Sequence, residues 1–594
     1  MSFRVPEQDP PLLHGFPSWT YDPPAMGNPQ SGSVPRVSPH VVCASLLGVI
    51  LLLAVSLRFA GLGDRSLWSD EFCTWKVSQL PLAESLHWQP ELTKPPLYQF
   101  AVRCLTSPLR NHFPRFETTE PGPSKVYQVA PYGVPSEWHL RLPAAICGTL
   151  AVAAMWWLGS IAGGWMLGAA SALLFAVQEL QIDYSQEARP YSMLVLGSVV
   201  STGIWHRLIE RQQGNEATCQ RGEFHANVWA WAIAYVLITA LSFHANYLIV
   251  LTVAVHLIWT IMNAYRESQF SNLKSQIRGI VAPAIAMMAI AILCTPMVWH
   301  FLRHRTSVFQ GLDWIAPTTV HGAFTVLGEI TFGPLWVWGL VAPAMTVSLA
   351  VAAKGAVPEG AADERRWTRI FLAERGNNEF HWLAVVWLLA TWGGLLVISS
   401  VAHPAMVARY ALPAAAPALL LPLLVLNRVD RRLPLLVAAA FAIGTAPVWA
   451  TRPAHVVSGF REMVEFLDEY ADPTREAVVV VVERTASPGW EEVDLLGFEY
   501  YGGGEAARQH GNKARHEEKA RYEIEVLYLR NGKPDGDQPI LRDPRALWLV
   551  VFLADPIEAI RSAGRNVEQI AIENQVFDQL YFKPYRLIRV APVN

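Results

Sequence analysis

Between residues 41 and 450 the chain carries one apolar run after another. Each is about 17–25 residues long, enough for an α-helix to cross the roughly 30 Å hydrocarbon core of a bilayer. This pattern commits the segment to a membrane before any other feature is weighed. Whole-chain averages of 52% hydrophobic and 16% charged residues dilute it, because residues 1–40 and 451–594 lack such runs.

Eleven spans are predicted, at 41–60, 139–158, 162–181, 190–206, 228–243, 247–264, 279–300, 332–352, 381–400, 408–426 and 433–450. With the N-terminus cytoplasmic, the inner segments hold 16 Lys and Arg and the short outer loops hold 3. That asymmetry is the positive-inside signature. An odd number of spans then puts residues 451–594 outside. Residues 1–40, with nine prolines and no helical periodicity, read as a disordered cytoplasmic tail. No cleavage pattern accompanies the first run, so it reads as a retained helix. The long outer loop 61–138 holds amphipathic pieces at Trp75–Trp88 and Leu97–Leu109. They are expected to lie on the membrane surface, with Trp75, Trp88 and Tyr98 at headgroup depth. In the tail, Glu462–Tyr470 reads as a helix, Ala477–Val482 and Leu547–Leu553 as strands, and Pro556–Ala563 as another helix. The expected fold is an α-helical polytopic membrane protein with a small extracytoplasmic α/β domain at its C-terminus.

A net charge of −3 and no basic stripe give no reason to expect nucleic acid. The six cysteines show no CxxC and no metal-ligand spacing. Cys43, Cys147 and Cys294 lie in apolar runs, whereas Cys73 and Cys104 share the first outer loop and are able to pair if that loop is outside.

Several polar motifs fall on the outer face. Trp68-Ser69-Asp70-Glu71 follows the first span. It reads either as a solvated loop start or as a general base able to take the proton of an attacking hydroxyl. Lys94-Pro95-Pro96-Leu97-Tyr98 offers a lysine that either snorkels or meets a phosphate. The connection Tyr184–Tyr191 packs Glu187, Arg189 and two tyrosines together, and Glu187 and Arg189 either pair with each other or serve a site. His244, Arg141 and the Arg409-Tyr410 pair join the same side, and His244 is open to a structural reading. An outer pocket with paired carboxylates and several cations suits hydroxyl attack with a phosphate leaving group. No soluble nucleotide is expected on that side, which favours a membrane-borne donor.

In this order, Trp68-x-Asp70-Glu71, Lys94-Pro95-Pro96-Leu97-Tyr98 and Gln186-Glu187-Ala188-Arg189-x-Tyr191 resemble the GT-C membrane glycosyltransferases, over about residues 41–450. The nearest groups are the protein O-mannosyltransferases, the aminoarabinose transferases and the lipopolysaccharide sugar transferases. Arg141-Leu142-Pro143 and Arg409-Tyr410 support the resemblance. It implies inverting transfer of a sugar from a polyprenyl-phosphate donor to a hydroxyl of a glycan, lipid or protein. The setting implied is the outer face of a bacterial inner membrane, with no metal and no cofactor beyond the lipid-linked co-substrate. Asp70 is then the catalytic carboxylate, Glu71 its companion and Lys94 a donor-phosphate contact. Tyr98, Arg141, Glu187, Arg189, Tyr191, His244, Arg409 and Tyr410 become donor or substrate contacts. The aminoarabinose transferases have Glu where Thr93 stands, and many relatives have His in place of Lys94, so the donor sugar is not fixed. A lipid-linked-sugar flippase, an oligosaccharide ligase and an inactive scaffold are the rival readings.

Overall fold

The computed structural model of the chain describes residues 38–80, 94–106, 136–213, 223–268, 273–310, 315–355, 375–451 and 460–471, and parts of 475–591. Residues 1–37 of the tail expected at 1–40, Trp88 and most of the helix expected at 556–563 lie outside the described residues, and Pro39 and His40 of that tail begin the first helix.

Helix α1 (Pro39–Phe59) is followed by α2 (Ser69–Gln79) and α3 (Leu97–Thr106) of the first long loop. Next come α4 (Glu137–Gly163), α5 (Trp165–Val177), the short α6 (Glu179–Asp183) and α7 (Tyr191–Gln213). The chain continues through α8 (Glu223–Ala245), α9 (Ile249–Ser268), α10 (Leu273–Arg303), α11 (Arg305–Gln310) and α12 (Val320–Glu329). Helix α13 (Pro334–Trp336) passes through a π turn into α14 (Ala342–Gly355), and α15 (Arg375–Leu388) passes through another into α16 (Gly394–Val401). A 3-10 turn joins α17 (Ala408–Ala411) to α18 (Ala415–Val429), and α19 (Leu433–Thr451) follows.

A helix occupies each of the eleven apolar runs. By length and composition, seven described helices suffice to cross a membrane. The pair Val320–Glu329 and Pro334–Leu349, bent by 98°, makes an eighth if it is one span. Trp165–Val177, Ile249–Ala264 and Leu433–Trp449 are apolar but shorter. The expected outer connection 301–331, between the spans expected at 279–300 and 332–352, holds α11 and α12. Thr319 starts α12 by accepting the Gly322 N–H at 3.0 Å. Large apolar side chains point outward along the helices, among them Leu52, Leu237, Ile261, Met288, Ile292 and Val397. Water gives such a belt no partner, and lipid does. Tyr191–Arg211 and Ala408–Val429 are the most buried of the candidate spans.

Arg58, at the end of α1, is wholly buried. Its guanidinium donates to the carbonyls of Ala176 at 3.0 Å and Phe175 at 3.1 Å, in the last turn of α5. Those carbonyls have no intrahelical donor, and a cation suits the negative end of a helix.

The C-terminal segment contributes α20 (Phe460–Tyr470) and a six-stranded sheet. Its strands are β1 (Glu476–Glu483), β2 (Ile524–Arg530), β3 (Lys533–Pro534), β4 (Ala546–Val551), β5 (Val567–Glu573) and β6 (Arg586–Val590). The order is β3-β2-β1-β4-β6-β5, with β2, β1 and β4 parallel and the outer pairings antiparallel. Strand β1 is covered on both faces, which is why Val478–Val482 is apolar without alternation. One face, through Val479, Val481, Leu547 and Leu549, packs with Leu527, Ile560 and Ile588. The other, through Val478, Val480, Trp548 and Val550, packs with Phe460, Met463 and Leu467. Leu67, Phe72, Trp75, Tyr98 and Leu140 belong to that same cluster.

This cover corrects the headgroup expectation for Trp75 and Tyr98. Both are buried inside the protein, and the Tyr98 hydroxyl donates to the Leu140 carbonyl at 2.9 Å. Cys73 is buried and Cys104 exposed, and no disulfide joins them.

Candidate active site

The site begins where α1 ends. Gly61 adopts φ +66°, a left-handed turn that glycine makes without strain, and residues 61–66 lead into α2. Asp70 and Glu71 lie in the first turn of α2, where a helix N-terminus favours carboxylates.

Glu71 is wholly buried and takes a forked contact from Arg141 of α4, Nε to Oε1 at 2.8 Å and Nη2 to Oε2 at 2.7 Å. Its Oε1 also accepts the Ala188 N–H at 2.7 Å. Arg141 donates further to the carbonyls of Leu62 at 3.1 Å, Arg65 at 2.9 Å and Ser66 at 3.1 Å. A guanidinium has five N–H groups, and these contacts use all five. Arg141 therefore has none to offer a phosphate, and Glu71 faces Arg141 and not an acceptor. Both expectations are corrected: this is a buried clamp joining α2, α4 and the 184–190 connection.

That connection is pinned at several points. Gln186 donates to the carbonyls of Leu57 at 3.1 Å and Ala60 at 2.9 Å, capping α1, and accepts from Arg65. A Cβ on Gly148 would lie 1.9 Å from Ser185 Oγ, so only glycine lets α4 approach this closely. Arg189 Nη1 then reaches the Asp70 carbonyl at 3.1 Å and Thr74 Oγ1 at 3.2 Å.

The Asp70 carboxylate is ringed by three cations from three segments. Arg189 Nη2 lies at 3.6 Å, Arg409 Nη1 at 3.7 Å and Lys94 Nζ at 3.9 Å. Pro95 and Pro96 hold Lys94 just ahead of α3, and Arg409 lies in the first turn of α17, which opens at Ala408 after an extended Val407. Burial pushes the Asp70 carboxyl up, but Lys94, Arg189 and Arg409 together bring it down to about 2. The Lys94 side chain is 28% exposed against 3% for Arg189, so Lys94 is the more accessible cation.

Tyrosines line the same cluster. The Arg409 guanidinium lies 5.6 Å from the Tyr410 ring centre, and the Tyr184 and Tyr191 rings meet at 5.1 Å. Glu187 has one buried carboxylate oxygen, Oε2, with no hydrogen-bond partner. Burial, reinforced by Glu71, pushes its carboxyl up to about 8, against the opposing charge of Arg409. Of the two readings of Glu187 and Arg189, pairing with each other is not among the described ion pairs, and Arg189 pairs with Asp70.

His244 turns back on its own helix, its Nδ1 donating to the Ala240 carbonyl at 2.8 Å. Its described contacts do not reach Asp70, and neither do those of the Tyr98 hydroxyl. Sequence reading missed Arg65, Thr74 and Arg461; Thr74 and Arg461 donate mainly to backbone carbonyls that no motif displays, and Arg65 meets Gln186 and Asp183. Among the described residues no three His, Cys, Asp or Glu side chains gather as a metal would require.

No family model matches the chain, and no curated protein does. Solved structures do. ArnT from Cupriavidus metallidurans in the apo state is similar at 11% identity and a TM-score of 0.49, over 93% of this chain and 97% of that one. The Archaeoglobus fulgidus oligosaccharyltransferase with Zn and sulfate is similar at 13% identity and 0.42, over 77% and 62%. The S. cerevisiae protein O-mannosyltransferase Pmt1-Pmt2 complex bound to the sugar donor is similar at 15% identity and 0.30, over 46% and 36%.

Proposed function

We propose that this chain is an inverting membrane glycosyltransferase, using a polyprenyl-phosphate-linked sugar on the extracytoplasmic face and a hydroxyl acceptor on a glycan, lipid or protein. One observation carries the reading: the Asp70 carboxylate of the first motif stands among three cations, Lys94 and Arg189 from the other two motifs that resemble the GT-C enzymes and Arg409 from the supporting Arg409-Tyr410 pair. The anchoring of each by local geometry favours positioning as the source of rate.

In the proposed reaction the acceptor oxygen attacks the anomeric carbon and its proton passes to Asp70. The bond from that carbon to the phosphate oxygen breaks, and its electron pair leaves with the polyprenyl phosphate. Lys94, Arg189 and Arg409 meet the added negative charge. At about 2, Asp70 alone is a weak base. A donor phosphate beside the same cations offsets their field and raises the proton affinity of Asp70, so the base strengthens when the donor is bound. Glu71 and Arg141 hold the helix that carries it. The reading routes no step through a metal.

The test is to offer labelled polyprenyl-phosphate sugars to membranes containing the full chain or its Asp70→Asn variant. Transfer by the first and not the second is expected. Protected translocation without transfer would favour a flippase and overturn the reading. Mass spectrometry of envelope lipids, glycans and proteins then identifies the acceptor.

A further inference from the structure

The turn preceding α2 is gripped from two sides. Its five successive carbonyls, from Leu62 to Ser66, all face a guanidinium. Arg141 takes those of Leu62, Arg65 and Ser66. Arg461, in α20 of the C-terminal segment, takes those of Gly63 at 3.1 Å, Asp64 at 3.1 Å and Arg65 at 3.3 Å. The Arg461 N–H also donates to Ser66 Oγ at 3.2 Å, and its guanidinium pairs with Glu137. Glu137 and Arg141 are four residues apart on α4 and so share a face of that helix. The neighbouring Phe460 lies edge-on to Phe72 of α2, ring centres 5.4 Å apart, and both are buried.

We propose that Arg461, seated by Phe460, is a positioning residue for Asp70, and that the C-terminal α/β segment is therefore a working part of the catalytic site. The proposal rests on the role given to Asp70 above. The three cations around Asp70 come from other segments, so their spacing to it depends on where α2 starts. That start is fixed by the turn at 62–66, and half of the grip on the turn comes from Arg461. A lysine there keeps one charge but lacks the fork that spans several carbonyls and Glu137.

The experiment uses the full chain in membranes, as wild type, Arg461→Ala and Arg461→Lys. Cys73 lies in α2 and is buried, and Cys294 is buried in α10. Alkylation by N-ethylmaleimide, followed by mass spectrometry at each cysteine, reports local opening of α2 against a buried control in another helix. Arg461→Ala is expected to speed reaction at Cys73 by about tenfold or more, with Cys294 unchanged and Arg461→Lys close to Arg461→Ala. The single-turnover rate constant with labelled polyprenyl-phosphate sugar, which does not depend on the fraction of protein that is active, should fall in parallel. Undiminished protection of Cys73 would overturn the proposal. So would equal acceleration at both cysteines, which assigns Arg461 to general stability, or a wild-type transfer rate constant. If Asp70→Asn retains transfer, the functional reading fails, and the cysteine comparison still decides whether Arg461 holds α2.

Discussion

The Asp70 carboxylate faces three cations and comes no closer than 3.6 Å to any of them. Glu71, the next residue, meets Arg141 at 2.7 and 2.8 Å and the Ala188 N–H at 2.7 Å, wholly out of solvent. Successive helical side chains point about 100° apart, so one peptide step carries the chain from one environment to the other. The two neighbourhoods divide the work. Around Glu71 every donor is matched, which fixes geometry and leaves Arg141 nothing to offer a ligand. Around Asp70 the positive charges outnumber the negative ones and stand at a looser spacing, which suits a second anion.

Removing each carboxylate in turn breaks that comparison most directly. Asp70→Asn should cut transfer by about 10²–10⁴-fold, the usual worth of general-base assistance, with expression and insertion unchanged. Glu71→Ala should act through the fold. It strands a buried guanidinium, at a cost of about 3–5 kcal/mol, read as a lower unfolding midpoint in detergent. If the two variants lose stability equally, the division of labour is wrong.

The same pair shows what the sequence displays and what it hides. The apolar helices were legible because bilayer crossing demands long apolar runs: a helix lies on every run, and seven of the described helices are long and apolar enough to cross. Lys94, Arg189 and Arg409 were legible as a group because the orientation expected from loop charge assigned them to one side, and the three do gather around Asp70. The split between Asp70 and Glu71 was not. Adjacent carboxylates suggest a shared role, and the partner that separates them, Arg141, lies 70 residues away. Tyr98 was misplaced because its amphipathic helix reads as interfacial until the sheet that covers it is known. Arg461 escaped notice because its acceptors are mainly backbone carbonyls.

A smaller effect sharpens the Asp70 side. Arg409→Lys keeps the charge but loses the flat guanidinium beside Tyr410. Binding of polyprenyl phosphate should weaken by about tenfold, with the unfolding midpoint close to wild type. Unchanged binding would remove Arg409 from the proposed phosphate site.

Glu187 adds a third carboxylate, and its environment is opposite to that of Asp70. Asp70 is pulled down to about 2 by its cations, so its contribution to stability is lost only as pH falls through that value. Glu187 is pushed up to about 8 by burial and by Glu71. In the unfolded chain it ionises near 4.5, so between 4.5 and 8 the folded state holds a proton that the unfolded state has released. The folded state is then favoured below that window and loses the advantage as pH rises through it. Unfolding midpoints taken across pH 5 to 8 should therefore fall more steeply for wild type than for Glu187→Gln, whose amide does not titrate. The comparison between the two proteins cancels the titration of histidines elsewhere. Parallel slopes would mean that Glu187 is ionised in the folded protein, and the site would then hold two negative charges against its cations instead of one.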